Sequence, residues 1–336
     1  MANIITSQVS NYIKNTPFIL APMAELSHRP LRELIEGFGG CDQYFTEMIS
    51  AAALIDQGPL EAFYIDAGPR PEKTVYQLVG SDPQKLALAA AFLDKKECAG
   101  IDINMGCSAP AITRTGAGVK WMADMDKAAA LIRRIRPHTS RRLSVKLRIG
   151  LTDDFEYLVR FCRRLEAEGV ELITLHPRTA KEKFSRNCRW NYVSSLKKEL
   201  KIPVAGNGDI GSAEEMLRRG QGCDAVMTGR LAIRKPWIFA EARALEMTDT
   251  VYTMTDTKHD PCAKNEPNTE ETGLRFLELL PKYQPPEFHL GRARRFFGYF
   301  CDNLKWGNYL KNQLNREQDL AGMEKTWEAY FREHGE

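Results

Sequence analysis

GNGDIG, residues 206–211, satisfies the pattern G-x-G-x-x-G, follows the apolar run IPVA and precedes SAEEMLRRG, a segment with helical spacing. Strand, glycine loop and helix together form the phosphate-binding fingerprint of an open dinucleotide-binding sheet. A closed (β/α)8 barrel puts glycines at the same kind of turn, because its loops after strands seven and eight bind phosphate through backbone N–H groups. Position separates the two readings. An open dinucleotide sheet carries the fingerprint on its first strand, whereas six strand-like runs precede it here.

Those six are FILAPM (18–23), YFTEM (44–48), TVYQLVG (74–80), GIDINMGC (100–107), LSVKLRIG (143–150) and ELITLHPR (171–178). IPVAGNGDI (202–210) is the seventh and AVMTGR (225–230) the eighth. Each is short, apolar and often β-branched, and ends in a polar or turn-forming cluster. Between them PLRELIEGF, PQKLALAAAFLDKK, DKAAALIRRIR, FEYLVRFCRRLEAEG and SAEEMLRRG place apolar residues three or four apart, as helices do. Eight strand-then-helix units predict an α/β chain with a (β/α)8 TIM barrel over 18–243. Residues 1–17 read as an N-terminal extension, the polar Thr-, Asp- and Pro-rich stretch 244–272 as a linker, and 273–336 as a small all-helical domain.

A chain of 336 residues, 43% of them apolar, can bury a large core. Its 47 Lys and Arg against 44 Asp and Glu leave a net charge of +3, so any surface for a polyanion must be local. The eight cysteines include no CxxC pair and read as reduced thiols of a cytoplasmic protein. No secretory leader and no membrane span are expected.

Active-site groups of such a barrel sit at the C-terminal ends of strands. The residues there are Pro22 and Met23, Gln77, Asn104 and Cys107, Lys146 and Arg148, His176 and Arg178, Asn207 and Asp209, and Gly229 and Arg230. TGR, 228–230, would complete a phosphate cradle with GNGDIG, Arg230 adding charge. Lys146 and Arg148 share one face of their strand. On the inner face, two cations need an anionic or electron-rich partner such as a flavin; on the outer face they would snorkel past a helix. The alternation leaves both open. His176 reads either as a ligand contact or as a histidine bonded to nearby backbone.

Cys107 reads as a small buried hydrophobe or as a chemical group. It stands beside Gly106 and ahead of SAPAITRTGAGVKWM, whose Gly116 and Gly118 predict a tight loop. Thiols are mostly protonated near neutral pH, so one placed at a strand end can act as an acid as well as a nucleophile. Further along, the segment 291–316 sets Arg292, Arg294, Arg295, Lys305, Lys311 and Arg316 against the single acid Asp302, interleaved with Phe296, Phe297, Tyr299, Trp306 and Tyr309. An RNA-binding face and a solvated amphipathic helix both fit that pattern.

Taken together, APMAELSHRPLR, TEM, VYQLVGSDP, DINMGC with GAGVKWM after it, VKLRIG, LHPRT, PVAGNGDI and AVMTGRLAIRKPWIF resemble the flavin-dependent tRNA-dihydrouridine synthases in order and spacing over 18–239. The resemblance implies an FMN-bearing barrel that reduces the C5–C6 double bond of selected uridines in folded tRNA, with NADPH (or NADH) as reductant. It implies that Pro22, Met23 and Ala24 underlie the flavin ring, and that Gln77, Lys146 and His176 contact it. Asn207, Gly208, Asp209, Gly229 and Arg230 would cradle its phosphate. Asn104, Arg148 and Arg178 would hold the uracil, and Cys107 would deliver a proton to C5. On the tail, Arg292, Arg294, Arg295, Lys305 and Lys311 would bind tRNA. A monomer without a metal is expected. The target uridine must be flipped out to reach the barrel mouth.

Two positions depart from the family pattern. Ser108 follows the cysteine where proline is usual, and Pro177 replaces the glycine that usually follows the histidine. Both change the backbone freedom of loops that would face substrate. Other readings are a barrel flavoenzyme for a free pyrimidine, a synthase acting on a different RNA, and an RNA-binding relative without flavin. A nicotinamide dehydrogenase would require a dinucleotide-binding half that the chain does not show.

Overall fold

The computed structural model describes residues 16–252 and 267–334. Its center is a closed ring of eight parallel strands. They are β1 (Phe18–Leu20), β2 (Gln43–Ser50), β3 (Thr74–Val79), β4 (Gly100–Met105), β5 (Leu143–Gly150), β6 (Leu172–Thr179), β7 (Val204–Asn207) and β8 (Ala225–Thr228). Closure is made by β1 on β8, with Ile19 opposite Met227. A sheet without edges excludes the open dinucleotide fold, so the expected (β/α)8 barrel stands.

The glycines of the opening motif divide their work between packing and backbone. A Cβ on Gly206 would lie 2.2 Å from the Trp190 ring, so this glycine lets the helix Trp190–Glu199 close on β7. Gly208 has φ +115°, where only glycine is comfortable, and its Cβ would press on Cys188 and His176. Ser212 then caps the helix Ala213–Gly220 by accepting from the Glu215 N–H. The loop is thus pinned at both ends.

Alternation along the strands sorts side chains to two sides. Ile101, Ile103 and Met105 of β4 belong to the large outer core shared with the helices. Inside the barrel a separate apolar floor is formed by Ile19, Ala21, Phe45, Val75, Leu172, Ala205, Ala225 and Met227. Polar residues follow on the same inward faces above it: Gln77, Asp102, Asn104, Ser144, Lys146, Thr174 and His176.

The chain is helical from Ile238 to Tyr252, so part of the stretch expected as linker is a helix. Residues 253–266 lie outside the described residues, and the tail helices are Thr269–Tyr283, Pro286–Phe300, Gly307–Leu314 and Leu320–His334. Their core is aromatic. Phe276 stacks on Phe296 at 3.8 Å, and Phe297 and Phe300 meet Trp327 at 4.8 and 5.9 Å. Gly273 is demanded by that core, since a Cβ there would lie 2.4 Å from the Trp327 ring. The seven cysteines among the described residues are all free thiols, and no helix among them is long and apolar enough to cross a membrane.

Candidate active site

One cleft opens at the C-terminal ends of the strands, lined by Pro22, Met23, Lys146, His176, Arg178, Phe184, Asn207, Gly208, Asp209, Gly229 and Arg230 among others. Strands 1, 5, 6, 7 and 8 therefore deliver expected residues to one place. Ala24 is exposed on the turn beyond Met23 and does not line the cleft. That turn is closed locally: Ser27 Oγ accepts from the Met23 N–H at 2.9 Å.

Lys146 settles the question left by alternation, because its side chain faces the inside. Burial, then the charge of Arg148, pushes its ammonium down to about 8. No carboxylate lies within ion-pair distance of it among the described residues, and Thr174 Oγ1, on the adjacent strand, is buried without a partner. A lysine in that setting favours an anionic or electron-rich ligand.

His176 is held neutral. Burial and the surrounding cations Lys146, Arg148 and Arg178 lower its pKa to about 2. Arg178 Nη1 lies 3.2 Å from His176 Nε2, and since an arginine only donates, that nitrogen accepts and the ring proton sits on Nδ1. Arg178 in turn is clamped by both oxygens of Asp209, each at 2.7 Å from Nη2.

That clamp alters two expectations. The Asp209 carboxylate is engaged by Arg178 and by the Cys188 N–H, with Arg230 at 3.8 Å, so it orients cations and does not itself face a phosphate. Arg178, expected to hold substrate, spends its donors on Asp209, His176 and the Arg186 carbonyl, and so acts on the geometry of His176. Gly208 and Gly229 keep the cradle role open: a Cβ on Gly229 would reach Met23 Sδ at 3.0 Å. Asn207 ties β7 to β8 through the Met227 carbonyl at 2.8 Å.

Gln77 and Asn104 are buried beside the cleft and bonded to each other, Asn104 Nδ2 donating to Gln77 Oε1 at 2.9 Å. Asn104 Oδ1 receives the N–H groups of Gly106 and Cys107 at 3.1 and 2.9 Å. Arg148 Nε donates to the Gly106 carbonyl at 3.1 Å and its Nη1 to the Thr179 carbonyl at 3.1 Å, linking the cysteine loop to the end of β6. Cys107 is half-buried and lies within the electrostatic reach of both Lys146 and Arg148. A second thiol, Cys188, shares those neighbours, but burial pushes it up to about 12, which makes it a poor acid.

Sequence reasoning missed Asp102, Ser144 and Phe184. Asp102 is an acid in an apolar strand, a pattern that demands a buried partner and could have flagged it. Phe184 had no such signal. It is exposed at the rim with the guanidinium groups of Arg230, Arg178 and Arg148 at 4.7, 5.9 and 6.0 Å from its ring.

The tail residues expected at RNA do not form one face. Arg292 corrects the expectation: it is buried at 2% exposure, pairs with Glu47 of β2 at 2.8 Å and bonds Gln284, so no phosphate can reach it. Arg294 donates to the Glu317 carbonyl, Arg295 grips Glu25 of the barrel at 2.7 Å, and Lys311 pairs with Asp302. Lys305 is exposed beside the exposed ring of Trp306, and Tyr309, one turn further on, is exposed as well. The aromatics divide likewise: Phe296 and Phe297 point into the core.

The sequence description of the family "Dihydrouridine synthase (Dus)" matches residues 19–333. A "Probable tRNA-dihydrouridine synthase" of Rickettsia conorii (strain ATCC VR-613 / Malish 7) is 30% identical over 329 residues, covering 96% of each chain. The "tRNA-dihydrouridine synthase B" of Pseudomonas aeruginosa is 26% identical over 328 residues, covering 97% of this chain and 96% of that one. A "Probable tRNA-dihydrouridine synthase" of Aquifex aeolicus (strain VF5) is 34% identical over 236 residues, 68% of this chain and 73% of its own. Among solved structures, histamine dehydrogenase from Rhizobium sp. 4-9 shares the fold, with a TM-score of 0.50 at 13% identity over 69% of this chain and 46% of that one. On a closed barrel whose strand ends bring Lys146, His176 and the glycine loops to one cleft beside Cys107, a family match across almost all of its length makes this chain a member of the dihydrouridine synthase family of oxidoreductases.

Proposed function

We propose that the chain is a tRNA-dihydrouridine synthase that holds FMN in the cleft, takes its electrons from NADPH or NADH, and adds two hydrogens across C5–C6 of a uridine in tRNA. The observation that carries this reading is the pairing of a half-buried thiol, Cys107, with a cleft whose Lys146 has no carboxylate within ion-pair distance among the described residues. The residues fit the group. Gly208 and Gly229 line the cleft without side chains, which lets a phosphate approach their backbone, and Arg230 lines it beside them. Lys146 supplies a cation for the electron-rich side of a flavin ring, and neutral His176 supplies one N–H, at Nδ1.

The flavin, when bound, supplies hydride chemistry toward uracil C6. Each other task falls to the chain. Cys107 delivers a proton from Sγ to C5, for which a protonated thiol is the right form. Lys146 and Arg148 lie within electrostatic reach of that thiol and keep its surroundings positive. Asn104 retains one amide hydrogen beyond its bond to Gln77 and can offer it to a uracil carbonyl. Phe184 and the arginines around it form the rim through which a flipped uridine passes.

For RNA, the exposed cluster of Lys305, Trp306 and Tyr309 offers a cation and two stacking faces. Mass spectrometry of digested tRNA from a strain lacking the gene, before and after its return, tests the reading. A uridine that loses two hydrogens with the gene and regains them with it supports it; tRNA unchanged at every position refutes it.

A further inference from the structure

Asp102 has no part in the chemistry above, yet it is completely buried on the inner face of β4, two positions before Asn104. Its Oδ1 accepts from Ser144 Oγ and its Oδ2 from Gln77 Nε2, both at 2.7 Å. Gln77 Oε1 accepts from Asn104 Nδ2, and Asn104 Oδ1 accepts from the N–H groups of Gly106 and Cys107. The ends of this chain have fixed polarity, because a carboxylate only accepts and a backbone N–H only donates. Between them stand two carboxamides, each with one donating and one accepting end. Only one orientation of both satisfies every link. Turning either amide sets oxygen against carboxylate or N–H against N–H, in a place where water is excluded.

From the other side, the Cys107 carbonyl accepts from the Val119 N–H at 2.9 Å, and a Cβ on Gly118 would lie 2.5 Å from that carbonyl oxygen. The cysteine backbone is therefore held at both its N–H and its C=O, and the relay decides the first. We propose that Asp102 is a positioning residue: through Gln77 and Asn104 it fixes the Cys107 backbone and so the direction in which the thiol points. The inference rests on the reading of Cys107 as the proton donor.

The test compares Asp102→Leu with Asp102→Asn in the full FMN-loaded chain. Asparagine keeps an accepting oxygen for Gln77 and can give its N–H2 to Ser144 Oγ; leucine offers nothing. Three readouts are followed: flavin reduction by NADPH, which does not involve Cys107; the pH profile of Cys107 alkylation by iodoacetamide, resolved by peptide mass spectrometry; and flavin reoxidation by tRNA. Asp102→Leu should retain flavin and its reduction rate within about twofold, change Cys107 alkylation at least roughly threefold, and slow the tRNA step roughly tenfold, the scale of one lost hydrogen bond. Asp102→Asn should restore the last two. Should the leucine variant fail to fold, Asp102→Val serves instead: it is smaller and β-branched, as strand positions accept, it likewise offers Gln77 Nε2 no acceptor, and the same alkylation change should appear. Asp102→Leu with unaltered alkylation, Asp102→Asn as impaired as leucine, or a parallel fall in all three readouts would overturn the proposal. Wild-type enzyme inert toward tRNA, with alkylation still following the series, would instead refute the functional reading and leave the role of Asp102 standing.

Discussion

Replacing Arg292 by methionine should weaken the whole protein and leave RNA binding untouched. Arg292 and Glu47 are each 3% exposed in their side chains and meet at 2.8 Å across the junction of barrel and tail. Glu47 Oε1 also receives the Glu25 N–H at 2.6 Å, in the turn that follows Met23. Burial pushes the Glu47 carboxyl above the ordinary carboxylate range, and Arg292 and Arg32 pull it back. Methionine keeps the aliphatic stem over Phe288, where the guanidinium now lies 4.3 Å from the ring. What it removes is the charge that compensates a buried carboxylate. Breaking one side of such a pair costs about 3–5 kcal/mol. Adding Glu47→Leu to that variant removes the stranded charge, and the double variant should stand within about 1–2 kcal/mol of wild type, the remaining cost being the unbonded Glu25 N–H and the Gln284 oxygen that Arg292 no longer meets. The assay is urea unfolding followed by circular dichroism, with the midpoint compared at constant slope, alongside tRNA affinity by filter binding. A single variant less than about 1 kcal/mol below wild type, or one that lowers the salt slope of tRNA binding by about one, would refute the reasoning and return Arg292 to the RNA surface.

Three further outcomes follow from the geometry. Lys146 is protonated below about pH 8, and an anion bound beside it favours that form; the affinity of the apoprotein for FMN should therefore fall as pH rises through about 8, by up to roughly tenfold per unit, and Lys146→Met should flatten the curve. An affinity constant across that range would contradict it. Gly208→Ala, at φ +115° and with a Cβ within 2.6 Å of Cys188 Sγ, should lose flavin and at least about 1 kcal/mol, whereas Gly211→Ala, whose nearest neighbour is 3.6 Å away, should stay within about 0.5 kcal/mol of wild type by thermal melting. Equal damage at both would contradict the special demand placed on Gly208. Lys305→Ala should lower the salt slope of tRNA binding by about one, and Trp306→Ala should cost about 1–3 kcal/mol of affinity if its exposed ring stacks on a base. Binding unchanged in both variants would place the RNA elsewhere.

The barrel was legible because short β-branched runs and amphipathic helices alternate eight times, and the motif that invited a different fold came seventh. The inner or outer placement of Lys146 was not, because both faces of a barrel strand are buried and alternation between apolar and polar residues loses its meaning there. Cys107, Asn104 and Lys146 could be named from strand ends, and they meet beside one cleft. Asp209 and Arg178 could be named but not assigned, since each is defined by the other across two strands. Arg292 was misread for a related reason. Its basic neighbours in the sequence predict a charged face, while its partner Glu47 lies on β2, and nothing in a single helix marks which of its cations will be enclosed. Phe184 illustrates the rest: an aromatic in a polar loop acquires meaning only from three arginines brought to it by β5, β6 and β8.

The role proposed for the thiol at the end of β4 is to protonate uridine while the cleft holds the flavin. It is tested most directly by mixing anaerobically pre-reduced enzyme with uridine-containing tRNA in a stopped-flow spectrometer, for wild type and Cys107→Ala. Equal flavin content and equal reduction by NADPH are expected in both, with rapid flavin reoxidation and dihydrouridine in the recovered tRNA from wild type alone. Reoxidation and product at the wild-type rate from Cys107→Ala would contradict it.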